Sequence, residues 1–177
     1  MNILLIISGS VAAYKSLEVI RELKRRKHNL QCVLSKCGEK FITPMCVSSL
    51  SGNYTYSAED AFSPHDSMKH ITLSRKSDLI LVAPATANLV AKIAHGICDD
   101  LPTSIILAST APLVVAPVMN SVMLQSPAMS RNLEILRNDG VHIIDPEFGE
   151  LACGEEGYGK MPHTDTIVSF VEKLLLP

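Results

Sequence analysis

The chain has 177 residues and a mass of 19.2 kDa, enough for one domain that buries roughly 70% of its unfolded surface. Sixteen Lys and Arg against eighteen Asp and Glu give a net charge of −2, which leaves no basic face for nucleic acid and no acidic tail. Hydrophobic residues make up 47%, yet no apolar run approaches the ~18 residues of a bilayer span, so no membrane partner is expected.

Residues 2–7, rich in Ile and Leu and stopped by Gly9, read as a strand buried on both faces. No basic n-region or cleavage-like sequence accompanies this run, so a signal peptide is not expected and a cytoplasmic location is. From Val11 the apolar positions Leu17, Ile20 and Leu23 recur at helical spacing, and Lys24 to Lys27 read as a solvated basic helix end. A second strand is expected at 30–34 and a helix at 41–50, with Pro44 in its first turn. Residues 51–69 read mostly as loop, with a short edge strand at 54–57. A strand at 79–83, helices at 87–95 and 101–109, and a strand at 113–116 follow. A short helix at 121–124, a longer one at 127–138, a turn at Asp139-Gly140, a strand at 141–144 and a helix at 164–175 complete the chain.

Strands alternating with helices imply a parallel sheet covered on both sides, an α/β domain of three layers. In such sheets ligands collect past the carboxyl ends of the strands, where the order reverses. The informative polar residues lie there.

The segment SGSVAAYK at 8–15 opens a helix with small residues and a hydroxyl. It reads as a tight turn or as a site for a single phosphate, because neither the dinucleotide fingerprint nor the Walker loop is present. APATANL at 83–89 offers Thr86 as a helix cap and Asn88 as a side-chain amide within the following helix, either a local hydrogen-bonding group or a ligand contact. APVMNSVM at 116–123 brings Asn120 to the same rim, as an N-cap or as a donor to a substrate carboxylate; Met119 and Met123 fill space beside it. His70 can serve as a base or as a satisfied structural histidine. LACGEEGYGKM at 151–161 is glycine-rich and carries Cys153, so it reads as a mobile cover over about 146–162 with a thiol proton donor, or as a plain loop. The five cysteines are odd in number and lack zinc spacing, and the histidines show no ligand pattern, so reduced thiols and no metal are expected.

Together these segments resemble the flavin-containing cysteine decarboxylase family, most closely its phosphopantothenoylcysteine decarboxylase branch. SGSVAAYK is similar to that family's Gly/Ser-Ile-Ala-Ala-Tyr-Lys start and APATANL to its PASANT segment. APVMNSVM matches its P-x-M-N-x-x-M motif, and LACGEEGYGKM its A-C-G-x-x-G-x-G-[RK]-M cover. The chain departs at Leu124, where tryptophan is usual, and at Lys160, where arginine is commoner. The resemblance implies a Rossmann-like (flavodoxin-like) domain, FMN near an interface between copies, a small-molecule substrate, and a homotrimer or a homododecamer. It implies His70 as catalytic base and Cys153 as the proton donor to the late intermediate. It also implies Asn120, Met123, Asn88 and Lys160 as substrate-binding, and Gly9, Ser10, Val11, Ser35, Thr86 and Thr103 as cofactor-binding, with Ser10 and Thr103 on the flavin phosphate.

The activity so implied is redox-neutral decarboxylation of 4'-phosphopantothenoylcysteine to 4'-phosphopantetheine in coenzyme A biosynthesis. Thiol oxidation by FMN supplies the electron sink that a cysteinyl carboxylate lacks. Three alternatives share the fold: a peptidyl-cysteine oxidative decarboxylase, a flavin prenyltransferase, and a non-enzymatic flavin-binding regulatory subunit.

Overall fold

Strand β1, Asn2–Ile7, explains the architecture in six residues. Ile3, Leu5 and Ile7 enter one hydrophobic core while Leu4 and Ile6 enter a second on the opposite face, each at most 1% exposed. A strand whose alternate side chains are both buried must be apolar throughout, which is why the run shows no polar alternation. Each such side chain contributes about 1.5–3 kcal/mol by leaving water.

The computed structural model describes residues 1–57, 60 and 68–175. After β1, a 3-10 turn at Val11–Tyr14 leads into α1, Lys15–Arg25, followed by β2, Asn29–Leu34. Then come α2, Pro44–Ser51, β3, Thr55–Tyr56, α3, Lys69–Arg75, and β4, Leu79–Ala85. Helices α4, Ala87–Ala94, and α5, Leu101–Leu107, precede β5, Leu113–Pro117. Helices α6, Ser121–Gln125, and α7, Pro127–Asn138, lead to β6, His142–Ile143. The hairpin β7, Glu147–Glu150, and β8, Glu156–Lys160, precedes α8, Thr164–Leu175.

The six-stranded sheet is parallel in order β3-β2-β1-β4-β5-β6, the doubly wound arrangement. Without the two-residue β3, the order of the remaining strands is that of a flavodoxin-like sheet. One face is covered by α1, α2 and α8, through Val19, Ile20, Val47, Ile167 and Val171. The other is covered by α3, α4, α5 and α7, through Leu73, Leu89, Ile105 and Leu133. The order reverses between β1 and β4, so the loops leaving these two strands border the crevice where ligands bind in such sheets.

Several local expectations need correction. The helix expected from residue 41 starts at Pro44, because Thr43 accepts a hydrogen bond from the Cys46 amide and caps it there. Residue 69, expected in loop, opens α3; residues 58–59 and 61–67 of that expected loop lie outside the described residues. The strand expected at 141–144 pairs only at His142–Ile143. The basic end of α1 is more than a solvated face: Arg25 and Arg26 both bond Glu22, and Arg26 also reaches Glu172 on α8. The segment expected as a cover carries an antiparallel ladder, from Glu147↔Lys160 to Glu150↔Glu156. Among the described residues, no helix is long and apolar enough to cross a membrane.

Candidate active site

Where β1 ends, Ser8 is 2% exposed, and its hydroxyl donates to the Pro84 carbonyl at 2.7 Å and accepts from the Thr86 amide at 3.0 Å. This buried bridge holds the two loops at the sheet's reversal point side by side. The next residue, Gly9, is fixed by space: a Cβ there would stand 2.3 Å from the Cβ of Cys37. Close approach of the 8–10 and 35–38 loops therefore requires glycine.

These loops wall a groove of about 950 Å³. Gly9, Ser10, Ser35, Thr86, Asn88 and Met123 all line it. Ser10 caps the 3-10 turn, its hydroxyl accepting from the Ala12 amide at 3.2 Å. Thr86 caps α4, and Ser35 accepts from the Gly38 amide at 3.1 Å. Ser10 and Thr86 thus each cap a helical turn and line the groove. Lys36, Lys92, Asp99 and Asp100 give the groove its charges; Lys92 pairs with Asp99 at 2.7 Å, a hydrogen bond that raises the lysine's pKa.

A second cavity, of about 590 Å³, lies beneath the hairpin. It shares Ser10, Val118 and Met119 with the groove, so the two spaces adjoin. Val11, Lys15, Asn120, Cys153 and Lys160 line it. The hairpin is seated by the Met119 amide donating to the Gly159 carbonyl and by the Ser121 hydroxyl donating to the Tyr158 carbonyl. Gly159 adopts φ +144°, and a Cβ there would fall 2.0 Å from the Met119 oxygen, so only glycine permits this seat.

Asn120 is both cap and contact. Its Oδ1 accepts from the Val122 amide at 2.8 Å, capping α6. That fixes the amide's orientation and leaves Nδ2 facing the hairpin, where it donates to Glu155 Oε2 at 2.6 Å and to Cys153 Sγ at 3.5 Å. The Cys153 thiol stands 3.6 Å from the same Glu155 oxygen. An amide donor, a thiol and a carboxylate thus converge at one rim of the cavity. The sequence pointed to the first two. Glu155 was missed because its position is variable in the pattern that singled out its neighbours.

Two expected site residues line neither cavity. Thr103 is 2% exposed, and its hydroxyl donates to Asp100 Oδ1 at 2.6 Å within the capping box of α5. It lines neither cavity, and its hydroxyl is committed to the cap of α5. Asp100, whose position Thr103 fixes, stands in the groove instead. His70, in the first turn of α3, lines neither cavity of its own chain. Leu73 packs α3 on the sheet face opposite the one that carries α1.

A family model described as Flavoprotein matches residues 1–176. The coenzyme A biosynthesis bifunctional protein CoaBC of Bacillus subtilis is 38% identical over 174 residues, which are 97% of this chain and 42% of that protein. The chain thus spans about two fifths of that relative's length. A protein of Streptococcus mutans, named probable phosphopantothenoylcysteine decarboxylase, is 35% identical over 98% of both chains. A solved cysteine-to-serine mutant of PPC decarboxylase, complexed with pantothenoylaminoethenethiol, superposes with a TM-score of 0.89 at 34% identity, covering 98% of this chain and 97% of that one. The FMN binding protein AtHal3 superposes with a TM-score of 0.85 at 35% identity, covering 98% of this chain and 95% of its own.

Proposed function

The chain belongs to the flavoprotein family, and from that membership we propose that it decarboxylates 4'-phosphopantothenoylcysteine to 4'-phosphopantetheine, with FMN as cofactor, in coenzyme A biosynthesis. The observation that carries this reading is the Asn120 amide. It is locked by its capping bond, already donates to a carboxylate, and lies 3.5 Å from a thiol. Carboxylate recognition beside a proton donor is what a decarboxylation finished by protonation requires.

The groove fits FMN in size and chemistry. Its volume is about 950 Å³, within the usual range for ligand sites. Its walls approach each other at Gly9, and Ser10, Thr86 and Asn88 offer polar groups along it. Lys36 and Lys92 bring positive charge to the groove, with Lys92 paired to Asp99. Ser10, Ser35, Thr86 and Asn88, which line the groove, would hold the group. When bound, FMN supplies the two-electron oxidation of the substrate thiol to a thioaldehyde and returns the two electrons to the enethiol left after CO₂ departs.

The chain's own groups do the rest. Asn120 Nδ2 holds the substrate carboxylate until it is lost as CO₂. Met123 packs beside the reacting end. Cys153 gives its proton to the substrate carbon in the last step and regains one from solvent. His70 removes the proton that leaves when the thiol is oxidised. His70 lies outside both cavities of its own chain, and we infer that it serves the groove of a neighbouring copy in a homotrimer, alone or assembled into a homododecamer. Exposed Phe41, Met45 and Met68 supply apolar surface for such contacts.

Purified protein supplied with FMN and 4'-phosphopantothenoylcysteine is expected to yield 4'-phosphopantetheine by mass spectrometry. Flavin-loaded protein that leaves this substrate intact contradicts the assignment.

A further inference from the structure

The cavity beneath the hairpin has two chemically different ends. Toward the hairpin tip stand Asn120, Cys153 and Glu150. Lys160 enters from the base, paired in the ladder with Glu147, and its side chain runs back toward Gly149. Lys15, the first residue of α1, lines the same cavity and feels the charges of Lys160 and Glu147. The Lys160 stem lies across Gly149, where a Cβ would meet its Cδ at 3.2 Å and its Nζ at 3.3 Å. The hairpin therefore leaves room for that side chain to lie along its inner surface.

Neither ammonium has a hydrogen bond or ion pair among the described residues. The nearby Glu147 is committed elsewhere: its Oε1 accepts from the His163 amide at 3.0 Å and its Oε2 lies 3.6 Å from the His163 ring. Partial burial and the neighbouring Lys160 both push the Lys15 pKa down, with Glu147 opposing. Two like charges kept together without a direct partner are unfavourable unless an anion joins them.

We propose that Lys15 and Lys160 form a subsite for a phosphomonoester dianion, the terminal phosphate of the substrate. Two ammonium groups on separate elements, each with three donors, suit a tetrahedral dianion better than a planar carboxylate, which a single amide or guanidinium serves. The flavin phosphate is the other source of this chemistry, but Lys15 and Lys160 line the cavity beneath the hairpin and not the groove. The substrate's phosphate and carboxylate are separated by two amide units. A carboxylate at Asn120 therefore leaves the phosphate well along the cavity, toward its basic end. The subsite rests on the function proposed above and adds the selectivity for phosphorylated over unphosphorylated substrate.

The test compares wild type, Lys15→Gln, Lys160→Gln and Lys15→Arg in the FMN-loaded protein. It measures kcat/KM for 4'-phosphopantothenoylcysteine and for pantothenoylcysteine, and calorimetric affinity for 4'-phosphopantetheine and pantetheine. Fluorescence gives the FMN dissociation constant. Each Gln variant is expected to reduce the preference for the phosphorylated member of both pairs about tenfold, as befits loss of one charge-assisted contact, and Lys15→Arg to restore most of it. Equal losses on phosphorylated and unphosphorylated ligands overturn the subsite, as does weakened FMN binding in parallel, which assigns the lysines to the flavin phosphate. Wild-type protein that consumes neither substrate overturns the function itself, and the subsite with it.

Discussion

The side-chain amide of Asn120 donates to the carboxylate of Glu155 at 2.6 Å, and both belong to the rim where the Cys153 thiol lies. The hairpin thus presents its own carboxylate to the donor assigned to the substrate's carboxylate. On the proposed function, substrate displaces Glu155 to bind and loss of CO₂ frees the amide for its return. Glu155→Ala is expected to lower the Kd of the carboxylate-bearing substrate severalfold, since the amide no longer gives up a hydrogen bond to a charged group. The decarboxylated product should gain less. Calorimetry showing the same change for substrate and product would refute the competition.

His70→Asn is expected to cut turnover about 100- to 10,000-fold, the usual contribution of a positioned base. Because His70 lines neither cavity of its own chain, the deficit should be repairable in trans. Co-folding His70→Asn with Asn120→Ala chains creates some sites with both groups intact. Recovered turnover in the mixture, absent from either variant alone, supports a site shared between copies; no recovery argues that each chain serves itself.

Cys153→Ser removes the proposed proton donor while leaving the Asn120 amide in place. This variant is expected to release one CO₂ per flavin and to accumulate the enethiol. Mass spectrometry that finds 4'-phosphopantetheine at the wild-type rate would remove Cys153 from the mechanism.

Far from the site, hydrogen bonds from Arg25 and Arg26 hold the Glu22 carboxyl down at about 2, and Arg26 links this group to Glu172 on α8. A carboxyl depressed on folding stabilises the native state above the ordinary carboxylate range and ceases to do so as pH falls through about 2. Glu22→Gln should therefore lower the urea midpoint at neutral pH and leave it unchanged near that lower limit. A difference that persists undiminished in acid would contradict the assignment.

The sheet was largely legible in the sequence because its strands are buried on both faces and read as uninterrupted apolar runs. β1 and α8 begin and end where expected. α3 was not legible: its seven residues bury only Leu73 and Ser74, too little to set a helical period. The β7–β8 ladder hid behind its glycines at 149, 157 and 159, which signal loop in a sequence and here permit close contact with Lys160, Ser121 and Met119. At the site, motif and chain order led to Asn120, Cys153 and the serine loop. Thr103 turns its hydroxyl into the cap of its own helix through Asp100, three residues before it, a local bond that the motif resemblance passed over; that His70 lies apart from the groove depends on packing between distant elements.

The most direct test follows many turnovers of 4'-phosphopantothenoylcysteine without oxygen or any added electron acceptor, counting CO₂ and saturated product per bound FMN. The account predicts equal amounts of both, continuing far beyond one equivalent of flavin. A reaction that stops after one equivalent, with the enethiol as its end product, would contradict it.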